Sequence, residues 1–238
     1  MGNHVKIEIK TQSNLMIGGT PAPFEIGGID QCTVVDGEGF PYIPASSLKG
    51  ALRGIVTKDT SETAAKIAKL YEELLRKEKD EKWEQICEVL SGDEAAIKRV
   101  EERYRQAMES AAANYLFGIR EFNNTPKILF NDLRLKEEYR NEKQCFSIDA
   151  KTSVFSNNEE VKSNPRTYKA ARIGLVFEGE LEFYHFEGDF CEADICMCKN
   201  YLIRQLEKFN EGSYRLGNSK SRGYGKVCVM VREESGEK

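Results

Sequence analysis

The stretch "YRLGNSKSRGYGKVCV", residues 214–229, joins a glycine-punctuated basic run to an alternating apolar strand that closes the chain. Arg215, Lys220, Arg222, Lys226 and Arg232 follow Tyr214 with no Asp or Glu among them. Gly217, Gly223 and Gly225 let the backbone there bend sharply. Tight turns aim N–H groups outward and Arg grips oxyanions with two bonds, so this run suits an anion such as a phosphate. The alternation of "GKVCVMV" then predicts a final strand.

Outward from this segment the chain reads as mixed α and β. "VKIEIKTQS" alternates, placing Val5, Ile7 and Ile9 on one strand face. "IGG" and "IGGID", separated by "TPAPFE", predict an irregular, tightly turning loop; "CTVV" predicts a short strand and "DGEG" a turn. Pro44 precedes "ASSLKGALRGIV", a helix in which Ser46 or Ser47 caps the free N–H groups and Leu48, Leu52 and Ile55 share a face. Lys49 and Arg53 lie four apart on a neighbouring face. They are either solvated surface charges or the flanks of a phosphate site at the helix N-terminus.

From Ser61 to Asn114 the pattern is helical and highly charged, broken at "SGD" near residue 92. Ile67, Leu70, Leu74 and Leu75 form one apolar stripe, and Trp83, Ile86, Val89 and Leu90 another. "KILFNDLRL" alternates again, with Ile128, Phe130 and Leu133 or Leu135 as core positions. "SIDAKTSVFSNNEEVKSNPRTYKAARIG" is polar and longer than an ordinary turn, the length of a functional or disordered loop. "LVFEGELEFYHF" predicts a strand, and "CKNYLIRQLEKFN" a helix with Tyr201, Leu202, Leu206 and Phe209 inward. Strands, a late helix and a final strand make an α+β fold.

Composition sets the outer bounds. The chain has 238 residues, enough for one large domain or a core with an elaborate insertion. It is 40% hydrophobic and 31% charged, the balance of a globular protein. Its net charge of -4 argues against a generic polyanion binder but not against a local basic track. No apolar run approaches the roughly 20 residues that span a bilayer, and "MGNHVKIEIK" has no signal-peptide character, so no membrane partner and a cytoplasmic location are expected. Seven cysteines, an odd count, read as reduced thiols. Cys191, Cys196 and Cys198 cluster, with only His185 nearby as a further zinc ligand; buried thiols are the simpler reading.

Taken together, "IGGIDQCTVV", "YIPASSLKGALRG", "IDAKTSVF" with "SNPRTYKAA", and "LGNSKSRGYGKV" resemble the RAMP superfamily. The closest resemblance is to the Csm-type backbone subunit of type III CRISPR effector complexes, over about Ile7 to Val231 without the stretch from Thr57 to Asn114. The resemblance implies a single domain over 1–238 with an RNA-recognition-like, ferredoxin-like core, a helical insertion at 58–114 and a thumb hairpin at 145–172. It implies a subunit that packs in copies along a guide RNA, beside other effector subunits, and cuts paired target RNA at regular intervals with divalent metal, Mg2+ foremost.

Site residues follow from the same resemblance. Ser46, Ser47, Lys49 and Arg53 match a helix that contacts guide-RNA phosphates. Gly223, Tyr224 and Gly225 match the closing glycine-rich loop, with Ser221 and Arg222 beside them. Asn164, Pro165 and Arg166 match the thumb, which wedges between nucleotides. Asp30 matches the cleavage aspartate, holding metal or orienting a ribose 2′-hydroxyl; read by its residues alone, it is an Asp that caps a turn through its own backbone. Met16 stands where relatives commonly have His, Ala45 where Gly is common, and Ala150 where an Arg often follows "ID", with Lys151 as a substitute.

Three other readings compete. One is a binding-only backbone subunit with Asp30 as scaffold. Another is a guide-processing ribonuclease, which would call for a histidine base where the chain has only His4 and His185. The last is a plain single-strand RNA-binding module, whose paired-strand aromatics are missing.

Overall fold

The structure is a computed structural model that describes residues 4–19, 29–157 and 160–233; the side chains of residues 153–165 and 233 are outside the description. The loop expected between the two glycine pairs falls largely outside the described residues. In chain order the elements are β1 (His4–Thr11), β2 (Gln31–Cys32), α1 (Ala45–Val56), α2 (Glu62–Val89), α3 (Glu94–Glu109), β3 (Lys127–Phe130), β4 (Arg134–Leu135), β5 (Phe146–Asn157), β6 (Glu160–Ala171), β7 (Val176–Tyr184), α4 (Phe186–Asp189), α5 (Glu192–Glu207) and β8 (Val227–Glu233).

Alternation builds the main sheet. Val5, Ile7 and Ile9 of β1 are buried, as their spacing requires. Glu8 breaks the pattern: it is buried too, and its carboxylate meets Lys136 at 2.8 Å and Arg232 at 3.2 Å. The strand order is β3-β7-β1-β8, with β4 also on β7, and β1 runs antiparallel to both of its neighbours. With α1 after β1 and α5 after β7, this is the split β-α-β-β-α-β order of a ferredoxin-like sheet, carrying insertions. At the free side of β8 the Asn210 side chain accepts from Val229 N at 2.7 Å and donates to Val229 O at 3.0 Å.

A second sheet has the order β2-β6-β5. The polar stretch read as a long loop is a regular hairpin, in which β5 and β6 pair from Phe146↔Ala171 to Asn157↔Glu160. Its polar residues left little hydrophobic alternation to read, because within the hairpin a buried cluster takes only Tyr168 and Ala170, near the base of β6. β2 adds to β6 in parallel, Gln31 opposite Tyr168.

The chain divides into two compact units. One comprises Met1–Leu52, Phe130–Glu182 and Arg204–Lys238; the other comprises Arg53–Leu129 and Phe183–Ile203. In the second, Ser61 caps α2 and Asp93 caps α3, with Gly92 at φ 94° between them. The first half of α2 buries Ala64, Ile67, Tyr71 and Leu75, and Tyr71 donates to Pro126 O at 2.8 Å. The second stripe differs from its expectation: Trp83, Ile86 and Leu90 are only half-buried and Val89 is 83% exposed.

All seven cysteines are free thiols. Burial, then the nearby Asp194 charge, pushes the Cys198 thiol up to about 12. Among the described residues no helix is long and apolar enough to cross a membrane.

Candidate functional site

The glycine-rich segment is anchored by its own glycines. Gly225 has φ +78°, and a Cβ there would overlap the Leu216 carbonyl oxygen. Gly217, at φ +77°, abuts the Met16 carbonyl in the same way. The N–H groups are committed inside the protein: Gly225 N donates to Asn14 O at 2.9 Å, Gly223 N to Lys220 O at 3.3 Å, and Asn218 N to Met16 O at 2.6 Å. This corrects the expectation that Gly223 and Gly225 offer their N–H groups to phosphate.

Tyr224 is likewise not a surface group. It is 3% exposed and packs with Met16, Tyr168 and Ala170 in one buried cluster. Its hydroxyl donates to Asp149 Oδ2, and its ring carries Lys151 Nζ at 3.9 Å from the centroid. Burial first, and Asp149 second, raises the Tyr224 phenol well above its ordinary value. Met16, 1% exposed in the same cluster, is a packing residue.

Asp149 is the hub beneath the loop. Besides Tyr224, it accepts from Asn14 Nδ2 at 3.0 Å and from Ser147 Oγ at 2.8 Å. Desolvation pulls its carboxyl upward, but the bonds from Tyr224, Ser147 and Asn14 and the charge of Lys151 outweigh it and hold the group below its ordinary value. Lys151 Nζ also donates to Arg222 O at 3.2 Å, and Arg222 Nη1 donates to the Tyr168 hydroxyl at 3.1 Å. The motif reading passed over Asp149, Asn14 and Tyr168. The "ID" within "IDAKTSVF" was the one sequence signal for Asp149.

The hairpin brings the other expected groups here by register. Lys151 is opposite Arg166, and Asp149 is opposite Tyr168, so β5 and β6 present these four on one face. Asn164 and Pro165 continue β6 opposite Ser153 and Thr152; their side chains are outside the description. Asp30 lies next to the same strand. Its N–H donates to Thr167 O at 2.9 Å, and its Oδ2 accepts from Thr167 N at 2.6 Å. The carboxylate is thus tied across to β6 and not folded onto its own turn, while Oδ1 has no hydrogen bond among the described residues.

Charge at the site is uneven. Arg166, Lys220, Ser221, Arg222 and Lys226 are exposed, and none of the four cations meets a carboxylate in an ion pair among the described residues. Arg232 leaves the group because it pairs with Glu8. Arg215 donates inward, to Tyr224 O at 3.4 Å.

α1 is anchored elsewhere. Ala45 N donates to Asp132 Oδ1 at 2.8 Å, so the cap comes from a distant carboxylate and not from Ser46 or Ser47. That carboxylate already complements the positive end of the helix, which makes the pole itself a poor phosphate seat. Ser46 and Arg53 are exposed, Ser47 and Lys49 half-buried. None of the bonds named above between Asp30, the hairpin and the glycine-rich loop involves α1.

Among the described residues no group of three or more His, Cys, Asp or Glu side chains gathers to hold a metal ion. Asp30 supplies one carboxylate. Mg2+ commonly takes one or two carboxylates and completes its shell with phosphate oxygens and water, so this donor set fits a metal shared with a nucleic acid.

Comparison with known proteins agrees with this fold. A sequence model described as the RAMP superfamily matches residues 8–228. No match was found among curated proteins. Among solved structures, a chain from "Cryo-EM structure of the Type III-B Cmr-beta bound to cognate target RNA" is similar at 15% identity with a TM-score of 0.53, covering 97% of this chain and 61% of that one. The present chain therefore spans about three-fifths of that neighbour's length. Cmr6 from Pyrococcus furiosus is 16% identical with a TM-score of 0.42, covering 95% of this chain and 98% of that one. The first of these likenesses speaks for the fold.

Proposed function

The chain belongs to the RAMP superfamily, and from that premise we propose that it is an RNA-binding backbone subunit of a type III CRISPR effector complex that cuts target RNA paired to its guide. One observation carries this reading: Asp30 and Arg222 are tied to successive residues of β6, Thr167 and Tyr168, next to the exposed Arg166, and neither arginine pairs with a described acid. Arg166, Lys220, Arg222 and Lys226 would hold sugar–phosphate backbone, with Ser221 as a further donor. A protein that serves any guide must bind backbone and leave sequence to base pairing, and side chains aimed at phosphates meet that need.

Cutting would use the ribose 2′-hydroxyl. As that oxygen bonds to the adjacent phosphorus to give a 2′,3′-cyclic phosphate, Asp30 Oδ1 accepts the hydroxyl proton and the 5′-oxygen leaves with a proton from water, while the bond from Thr167 N keeps the carboxylate in place. Asp30 would hold a divalent metal, which would supply positive charge against the charge developing on the phosphate. His4 lies 3.9 Å from Glu180 and His185 stacks on Tyr184, so neither joins the bonds at this site and a histidine-driven guide-processing reaction finds no support.

The test is copurification followed by cleavage. The protein is expected to carry short RNA of repeated 5′ sequence and to cut a complementary RNA only with divalent metal. Asp30→Ala should retain target binding and lose cutting. Wild-type cutting by that variant would remove Asp30 from the reaction. The tie between Asp30 and Thr167 also favours a second reading, a binding-only subunit in which Asp30 is scaffold; metal-independent, uncut target with normal binding by the wild type would select it.

A further inference from the structure

We propose that Asp149 is the positioning residue of the basic loop, holding Arg222 ready for phosphate through Tyr224. The inference rests on the RNA-binding reading above and adds what makes the loop competent. Asp149 gathers donors from three places: Asn14 after β1, Ser147 on its own strand and Tyr224 in the loop. A half-buried carboxylate is costly to keep unless its bonds are satisfied, and these are.

The geometry shows why the hold matters at Arg222. The base of the loop is closed by backbone bonds, Gly225 N to Asn14 O and Leu216 N to Gly225 O. Among the described residues the backbone-to-backbone bonds of the tip are those of its own turn, Arg222 N to Ser219 O and Gly223 N to Lys220 O. Gly223, between Arg222 and Tyr224, has φ +96° and open space around it, so it does not restrain its neighbour. Holds on the tip from outside it come from the hairpin: Lys151 grips the Arg222 carbonyl, Asp149 grips Tyr224 two residues on, and Tyr168 of β6 accepts from the Arg222 side chain. With the tip fixed, the Arg222 guanidinium rests on the Tyr168 hydroxyl and loses less freedom when it meets a phosphate.

Asp149→Asn keeps the shape but turns an amide N–H toward one of three donors, and Tyr224→Phe removes a single oxygen. Both variants, as full chains, are to be compared with wild type for thermal stability, amide hydrogen exchange across residues 220–226, and affinity for a labelled single-stranded RNA. Each is expected to speed exchange in the loop tip and weaken RNA binding about tenfold. In an Arg222→Ala background, Asp149→Asn should weaken binding by less than about twofold more, because its route runs through Arg222. A full loss in that background, unchanged exchange, or wild-type affinity in Tyr224→Phe would each overturn the proposal. If Asp149→Asn fails to fold, Tyr224→Phe carries the same comparison. Wild-type protein that binds no RNA would instead sink the functional reading, and the exchange data would still decide whether Asp149 fixes the tip.

Discussion

At Gly225 and Gly223 one residue type serves two different needs. Both have positive φ, yet a Cβ at Gly225 meets backbone and a Cβ at Gly223 meets nothing. Gly225→Ala is therefore expected to cost about 3 kcal/mol or more, and Gly223→Ala about 1 kcal/mol, by urea denaturation. Asp149 predicts a pH effect. Its carboxyl lies below the ordinary value in the fold, so its contribution is complete above the ordinary carboxylate range and lost as pH falls through the lowered value. Melting temperature should fall more steeply with acid in wild type than in Asp149→Asn; parallel curves would refute this. The sequence announced the glycines and the cations but not their division of labour. Nothing in "RGYGK" distinguishes an outward Tyr from one buried against Met16 and Tyr168, since burial there depends on residues more than fifty positions away.

Elements were legible in proportion to their hydrophobic period. β1, α1, β7, α5 and β8 follow from alternation or helical spacing, and the break at Gly92 separates α2 from α3. The β5–β6 hairpin left no such trace in its residues. Only its resemblance to a thumb pointed to paired strands, because the buried cluster takes only Tyr168 and Ala170 of the hairpin while the cross-strand pairing runs on to Asn157 and Glu160. For α1, the cap was misplaced because Asp132 is distant in sequence and close only in the fold. The exposed side of α1 yields a prediction of its own. If Lys49 and Arg53 contact guide phosphates, Lys49→Ala with Arg53→Ala should reduce the dependence of log affinity on log salt by about 1.4, roughly 0.7 for each lost single-strand contact. An unchanged slope would confine phosphate binding to the hairpin and the glycine-rich loop.

Across the whole chain, net charge gives the wrong impression: a total of -4 coexists with a site whose exposed cations have no described acid to pair with. Topology was legible to the level of a ferredoxin-like sheet with insertions. The order β3-β7-β1-β8 leaves β8 on the outside, and there the Asn210 amide occupies the donor and acceptor of Val229. One side chain thus stands in for a neighbouring strand. Unsheathed edges invite foreign backbone, so Asn210→Ala should render the protein prone to concentration-dependent clumping, visible as rising light scatter on storage. For a chain proposed to line up in multiple copies, a rim blocked at Val229 has a further consequence: stacking is expected through other surfaces, because a foreign strand could not zip past the middle of this rim without displacing the carboxamide.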